Sequence, residues 1–310
     1  MGYEGGTDVV APVGGAVRDL LRVAPGRTVD LAALDPRATP GLPGLEVTGP
    51  DRKGWARRQV RWVGDGLARQ QEMLFAGAKA DPGAGRRVLL VLQAMDCGGK
   101  DGTVKRVVGA MNPLGVHIRA FGPPTAEELR HHFLWRIRQA LPPAGRLGVF
   151  NRSHYEDILV PRVQERAPEH VWRPRYAEID DFERELTDGG VAIVKIFLHI
   201  SYAEQARRLL ARLDDPTKHW KYHPSDIDAR ARWGDYQAAY AELLGRCGSD
   251  AAPWYAVPAD RKWYRDWAVA HLLRETFDTL SLGYPPADLD IAAERERLLR
   301  TTGLPKMNGS

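Results

Sequence analysis

An α/β fold, with a central parallel sheet covered by helices on both faces, is what two features of this 310-residue chain predict. Apolar runs of strand length alternate with longer segments of helical periodicity, the pattern of strands joined by helices. The first run, Val88-Leu89-Leu90-Val91-Leu92, is apolar at every position, as a strand buried on both faces requires. It leads at once into a glycine-containing loop that ends in Lys100. Ligands in such sheets sit at the carboxyl ends of the strands. Function is therefore expected in the loops after Leu92, Phe121, Phe150, Ile200 and Val257.

Residues 1–50 are rich in Gly, Pro and Ala and weakly periodic, which predicts a loosely ordered arm with a short helix near 17–23. Between 55 and 80, Val60, Val63, Leu67, Met73 and Leu74 recur at helical spacing, and Asp81-Pro82-Gly83 ends that helix. A helix over 103–111, stopped by Asn112-Pro113, follows the first strand and its loop. Next comes a short strand over 116–121. Thr125, with Glu128 three residues later, signals a helix start, and that helix is expected to run to about residue 140, where Pro142-Pro143 stops it. A strand over 147–150 runs into the polar turn Asn151-Arg152-Ser153. Helix 176–187, strand 191–200, helix 202–213, a basic-aromatic connection at 218–222, helix 225–245, strand 254–257 and helix 262–280 complete the pattern. The expected domains are the arm at 1–50, one catalytic unit at 51–285, and a C-terminal helix and tail at 286–310. No internal repeat is visible.

Hydrophobic content of 44% and charged content of 27% are ordinary for a soluble globular chain. No apolar run approaches the roughly 18 residues of a membrane helix. The first residues lack the pattern of a secretory signal, and Gly6 stands where myristoylation would need Ser or Thr. Two cysteines, Cys97 and Cys247, imply no disulfide framework. A cytoplasmic enzyme without a membrane partner is expected. A formal net charge of +4 is too small to mark a nucleic-acid binder, and suits one positive groove on a mixed surface.

Three constellations carry chemistry. In the first, a strand, a glycine loop ending in Lys100 and a helix start form a phosphate cradle of backbone N–H groups, helix dipole and mobile cation. The match to the G-x-x-x-x-G-K-[ST] pattern is imperfect: Ala94 stands for the first Gly and Asp101 for the metal-binding hydroxyl. Asp96, inside the loop, is an added carboxylate able to hold a metal near phosphates. The same turn also occurs without any ligand, where Gly only lets the backbone turn. In the second, Phe150 to Asp157, Arg152 can bond a phosphoryl oxygen bidentately, and Glu156 and Asp157 can accept from a base or ribose or hold Mg²⁺ through water. A polar helix cap is the plainer reading. The third joins Arg207, Arg208, Arg212, Lys218, His219, Trp220, Lys221 and Tyr222 to Asp226 and Arg230. It reads as a lid over the strand ends, or as a solvated helix face. Trp220 and Tyr222 are expected as core anchors rather than base-stacking platforms. His131 and His132 have no partners at metal spacing and are expected at the surface. Ser153 and His154 make no nucleophile pair, and Cys97 is expected as an oxidation site and not a catalyst.

Several separated blocks now align with one family. They are 93–103 (Gln93-Ala94-Met95-Asp96, then Gly99-Lys100-Asp101-Gly102-Thr103), Asn112-Pro113-Leu114-Gly115, Phe133-Leu134-Trp135-Arg136, and 150–157. Asp215-Pro216, Trp220-Lys221, Trp233-Gly234-Asp235-Tyr236 and Pro258-Ala259-Asp260-Arg261-Lys262-Trp263-Tyr264 follow in order. From about residue 55 to 282 the chain resembles the polyphosphate kinase 2 family. The resemblance implies a P-loop nucleotide-kinase-like three-layer α/β/α sandwich with a helical lid at about 205–235. It implies reversible, Mg²⁺-dependent phosphoryl transfer between inorganic polyphosphate and nucleotides. The form of 151–156 resembles the subgroup that takes both AMP to ADP and ADP to ATP, with guanine nucleotides left open. By resemblance Asp96 binds the metal, Lys100 the phosphate, Arg152 follows the second strand and Arg212 acts from the lid base. Asn151, Glu156 and Asp157 fall on the nucleotide side, and a homo-oligomer, dimer or tetramer, is expected. Gly98, Gly99, Asp101, Gly102 and Thr103 belong to the phosphate loop, and Lys105, Arg106, Lys218 and Lys221 are candidates to line a polyphosphate groove. Two departures stand out. Cys97-Gly98 replaces a small Thr/Ala-type pair, and Cys247-Gly248 replaces a Thr-Ser pair. The competing readings are an ATP-dependent nucleoside monophosphate kinase on the same fold and a non-catalytic polyanion-binding protein.

Overall fold

β1 (Arg87–Gln93) lies in the middle of a five-stranded sheet, and every residue after Arg87 in it is buried. The structure, a computed structural model, describes residues 11–81, 83 and 85–302. The other strands are β2 (Val116–Ala120), β3 (Leu147–Asn151), β4 (Val191–His199) and β5 (Trp254–Pro258). Their spatial order is β2-β3-β1-β4-β5 and every pairing is parallel. All five carboxyl ends therefore meet at one edge. The register sets Leu92 beside Asn151 and Gln93 beside Phe197, so the loop after β1 opens between β3 and β4, where chain order reverses.

Side chains of β1 alternate between two cores, as strand geometry dictates. Val88, Leu90 and Leu92 face Val63, Leu67, Trp267 and Leu273; Leu89 and Val91 face Ile158, Ile179, Phe182 and Leu243. The helices fall into layers accordingly. In chain order they are α1 (Val17–Leu21), α2 (Leu45–Thr48), α3 (Arg52–Ala80), α4 (Lys100–Val107), α5 (Trp135–Gln139), α6 (Glu156–Val163), α7 (Glu169–Trp172) and α8 (Arg175–Asp188). After them come α9 (Tyr202–Leu213), α10 (Ser225–Ala231), α11 (Trp233–Arg246), α12 (Lys262–Thr279) and α13 (Ile291–Thr302). Helices α3, α4 and α12 cover one face, and α6, α8 and α11 the other. The result is the three-layer α/β/α sandwich expected from the alternation.

Several expectations need correction. Residues 11–50 are not loosely ordered. Val17, Leu21 and Leu42 enter one core, Val23 and Leu31 the other, and the backbone N–H groups of Val17 and Arg18 donate to Glu275 at 2.8 and 2.9 Å. Arg22 bridges antiparallel to Tyr255, so the arm covers the free edge of β5. Scattered apolar residues in a Gly/Pro-rich segment carry no period, because they bury by following a groove rather than by forming an amphipathic element. Residues 1–10 of the arm and 303–310 of the tail lie outside the described residues.

The helix expected over 125–140 is mostly absent. Thr125 and Glu128 do exchange their capping bonds, at 2.8 and 3.2 Å, yet they close only a 3₁₀ turn at Glu128–Arg130 before α5. The helix expected at 225–245 breaks at Arg232, whose φ of −98° and ψ of 29° are not helical. Helices α6 and α7 were not anticipated. Helix α6 lacks a side-chain cap and carries Pro161 inside it. Trp220 is not a core anchor, since it is 78% exposed.

Candidate active site

The loop after β1 is shaped by residues that must be small. Gly99 has a φ of +108°, and a Cβ there would lie 1.8 Å from Nη1 of Arg265; a Cβ on Gly98 would meet that of Ala94 at 2.3 Å. Cys97 also adopts left-handed backbone, at φ 64°. Helix α4 starts at Lys100, three residues earlier than expected, so the free N–H groups of its first turn face the loop. Lys100 is buried and its ammonium donates to Ala94 O at 2.9 Å; burial pulls its pKa below the usual lysine value.

From the tip of β3, Arg152 reaches across at φ 63° and donates to Asp96 Oδ1 at 2.7 Å. Glu156, one helical turn on, lies 3.9 Å away. Glu156 foremost, then Asp96, hold the Arg152 pKa above its ordinary value. Burial raises that of Glu156, against the opposing pull of Arg152 and Lys100. Asn151 donates to Asp101 at 2.8 Å, and Lys221 bonds the other Asp101 oxygen at 3.1 Å.

Two cavities open at this edge. The first, of about 590 Å³, is lined by Gly98 to Gly102 and by nine lysines and arginines against three aspartates. The second, of about 710 Å³, is walled by Pro123, Pro124, Leu129, Val160 and Pro161, with Tyr236, Tyr240, Glu156, Asp157 and Gln164 among its polar groups. They share Asp96, Phe121, Arg152 and Asp226 as a common wall. A strongly cationic chamber thus meets one that combines an apolar wall with balanced charge, five arginines and five carboxylates, and the Arg152–Asp96 pair lies on the wall between them.

Residues 64–281 match the family described as Polyphosphate kinase 2 (PPK2). The chain belongs to the polyphosphate kinase 2 family. An AMP/ADP-polyphosphate phosphotransferase of Meiothermus ruber is 43% identical over 264 residues, spanning 85% of this chain and 94% of its own length. An ADP-polyphosphate phosphotransferase of Rhodopseudomonas palustris is 37% identical over 291 residues, or 90% and 95% of the two chains. The crystal structure of Polyphosphate Kinase 2 from Arthrobacter aurescens TC1 superposes with a TM-score of 0.86 at 45% identity, covering 94% of this chain and all of that one.

In this polyphosphate kinase 2 chain, Asp96, Lys100, Arg152 and Arg212 all line the cationic chamber, as do Asp101, Arg106, Lys218 and Lys221. Arg212 donates to Lys221 O at 2.8 Å and to Asp226 at 3.2 Å. Glu156 and Asp157 face the second, charge-balanced chamber, and Asp157 is held by Arg136 at 2.8 Å. Asn151 lines the cationic chamber, away from Glu156 and Asp157, and its amide donates to Asp101. Thr103 is fully buried beneath the loop and bonds Gly99 O at 3.2 Å, while Lys105 is exposed; neither lines a chamber. Cys97 is not poised for oxidation, because burial raises its thiol to about 11 and keeps it protonated.

Two buried guanidiniums were not singled out as site residues. Arg208, read as part of the lid run, donates to Cys97 O at 2.8 Å, Gly98 O at 3.1 Å and Ala259 O at 2.5 Å, bracing the loop from below. Arg265 lies against Gly99 and bonds Asp266. Burial lowers both to about 10. A charged pair, Arg265-Asp266, inside the otherwise buried α12 was the available signal.

The donor set fits Mg²⁺. Oδ1 of Asp96 is taken by Arg152, which leaves its other oxygen for a cation. Burial, and then the nearness of Asp96, raise the Asp226 pKa, so two carboxylates share one space. Among the described residues no group of three or more His, Cys, Asp or Glu could hold a metal. Mg²⁺ does not need one, since it commonly takes one or two carboxylates and completes its shell with waters and phosphates.

Proposed function

We propose that this chain moves a phosphoryl group reversibly between inorganic polyphosphate and adenine nucleotides, converting AMP to ADP and ADP to ATP. One observation carries the reading: the cationic chamber and the charge-balanced chamber with its apolar wall meet at Arg152 and Asp96. A linear polyanion suits the first, and a nucleoside with its base suits the second. The family membership and the activity for which the Meiothermus ruber relative is named support the same substrates.

Phosphoryl transfer requires alignment and charge neutralisation more than covalent chemistry. Lys100 and the first-turn N–H groups of α4 hold donor phosphates. Arg152 stands on the shared wall, within reach of the terminal donor phosphate and the acceptor's phosphate together. An acceptor phosphate is already ionised near neutral pH, so no strong general base is needed. Mg²⁺ held at Asp96, with Asp226 nearby, would neutralise phosphate charge there. Arg212, Lys218 and Lys221 close the chamber from the segment 205–235, which acts as a lid. No helix among the described residues is long and apolar enough to cross a membrane; a cytoplasmic enzyme is our reading, supported by its nucleotide substrates.

The test is product analysis after mixing polyphosphate and Mg²⁺ separately with AMP, ADP and GDP, with no other donor. ADP and then ATP are expected. Absence of both, with transfer seen only when ATP is the donor, would replace this reading by a nucleoside monophosphate kinase.

A further inference from the structure

Behind the shared wall lies a charge cluster that touches neither chamber. Lys195, in the middle of β4, is fully buried; its ammonium pairs with Glu183 of α8 and donates to Tyr155 Oη at 3.0 Å and to Cys247 O at 2.6 Å. Glu183 Oε1 accepts from the Tyr155 hydroxyl at 2.7 Å and lies 3.2 Å from His154 Nε2. Burying charge in this way is a weak source of stability, because apolar residues of equal volume usually serve as well or better. Its partners suggest another purpose. His154 and Tyr155 closely follow Arg152, and Ser153, between Arg152 and His154, accepts from Gln93 at 3.1 Å. On the other side, Arg152 N–H donates to Leu92 O at 3.0 Å. A residue at φ 63° persists only where its surroundings over-determine it.

The geometry points to Glu183 and Lys195 as positioning residues for phosphoryl transfer, gripping His154 and Tyr155 so that the left-handed turn at Arg152 aims its guanidinium at the shared wall. This rests on the proposed role of Arg152. The cluster acts from beneath: β4 and α8 hold the His154–Tyr155 end of the turn, while β1 holds its Arg152–Ser153 end through Leu92 and Gln93. Loosening the grip lets the turn relax toward ordinary backbone and withdraws the guanidinium, while the other residues lining both chambers stay in place.

The experiment is a cycle. Tyr155→Phe removes one hydroxyl link at nearly constant shape, and the pair Lys195→Met with Glu183→Gln removes both charges together. Each is made in the native chain and in an Arg152→Ala background, and kcat and KM for polyphosphate-dependent ATP formation are measured alongside thermal melting. In the native chain kcat should fall about tenfold or more, with nucleotide KM changed less than about threefold and the melting point nearly kept. In the Arg152→Ala background the same changes should cost less than about twofold, because the residue they position is gone. Equal losses in both backgrounds, or no loss in the native chain, overturn the proposal. Should the pair variant not fold, Tyr155→Phe alone decides it. An Arg152→Ala chain with full turnover would overturn both the role of Arg152 and this inference. A crippled Arg152→Ala with a normal Tyr155→Phe would overturn the inference alone.

Discussion

Left-handed backbone at Cys97 and Arg152 costs each residue on the order of 1 kcal/mol, and both sit where the two chambers are built. Replacing Lys100 or Arg152 by Ala should remove about 2–4 kcal/mol of transition-state stabilisation, a loss of roughly 30- to 1000-fold in kcat. Steady-state rates on polyphosphate and ADP check this. Gly99→Ala should be as damaging, since its Cβ would drive Arg265 from under the loop. A different residue, His271, should govern acid sensitivity. It is buried against Trp267, and burial lowers its pKa from 6.5 to about 4. The unfolded chain therefore takes up that proton first. The resulting stability is complete above about pH 6.5 and is lost as pH falls towards 4, with a slope approaching about 1.4 kcal/mol per pH unit. Melting between pH 7 and 4.5 should show a shallower decline in His271→Leu. At this scale strand–loop–helix punctuation pointed to Asp96, Lys100 and Arg152 beside strand tips, and the family resemblance added Arg212 from the lid; the structure gathers all four around one chamber. The sequence did not reveal the side to which Asn151 turns, since a side-chain rotamer depends on Asp101, fifty positions away.

At the scale of elements, punctuation was read well where turns coincide with Gly and Pro, and poorly where tertiary packing overrides them. Four of the five strands were legible from apolar runs, and β2, Val116-His117-Ile118-Arg119-Ala120, from its short alternating pattern between proline-containing turns. The break between α10 and α11 and the helix α6, with its internal Pro161, were not, because neither boundary carries a capping residue. The Thr125–Glu128 box shows the converse: correct local bonds can close a turn that does not propagate. Where a cap does begin a long helix, its worth should be measurable. Asp51 accepts from Gly54 N–H at 2.8 Å at the start of α3, and Asp51→Ala should lower stability by about 1 kcal/mol in a denaturant titration. The brace beneath the loop should show a functional cost. Arg208→Met keeps much of the apolar stem but frees the carbonyls of Cys97 and Gly98, and at least a tenfold fall in kcat/KM for polyphosphate is expected.

For the molecule as a whole, the excess of nine cationic over three acidic residues in one chamber explains how a net charge of only +4 can serve a polyanion. Polyphosphate affinity should fall linearly with the logarithm of salt concentration, with a slope near −3 to −4 if about five phosphates are neutralised. A salt-independent affinity would contradict the groove. The arm was the least legible part of the fold, and it has a global role. Deleting residues 1–43 strips Val17, Leu21, Val23, Leu31 and Leu42 from both cores, at about 1.5–3 kcal/mol for each, so a large drop in melting temperature or insoluble protein is expected. The shared wall has one more consequence. On the proposed placement the two substrates approach from opposite sides of Arg152, so a phosphorylated nucleotide would have its own exit and the polymer need not let go between turnovers. Such an enzyme can shorten a strand unit by unit while small molecules exchange at the far door, a processive habit set by the plan of the rooms rather than by any tight grip.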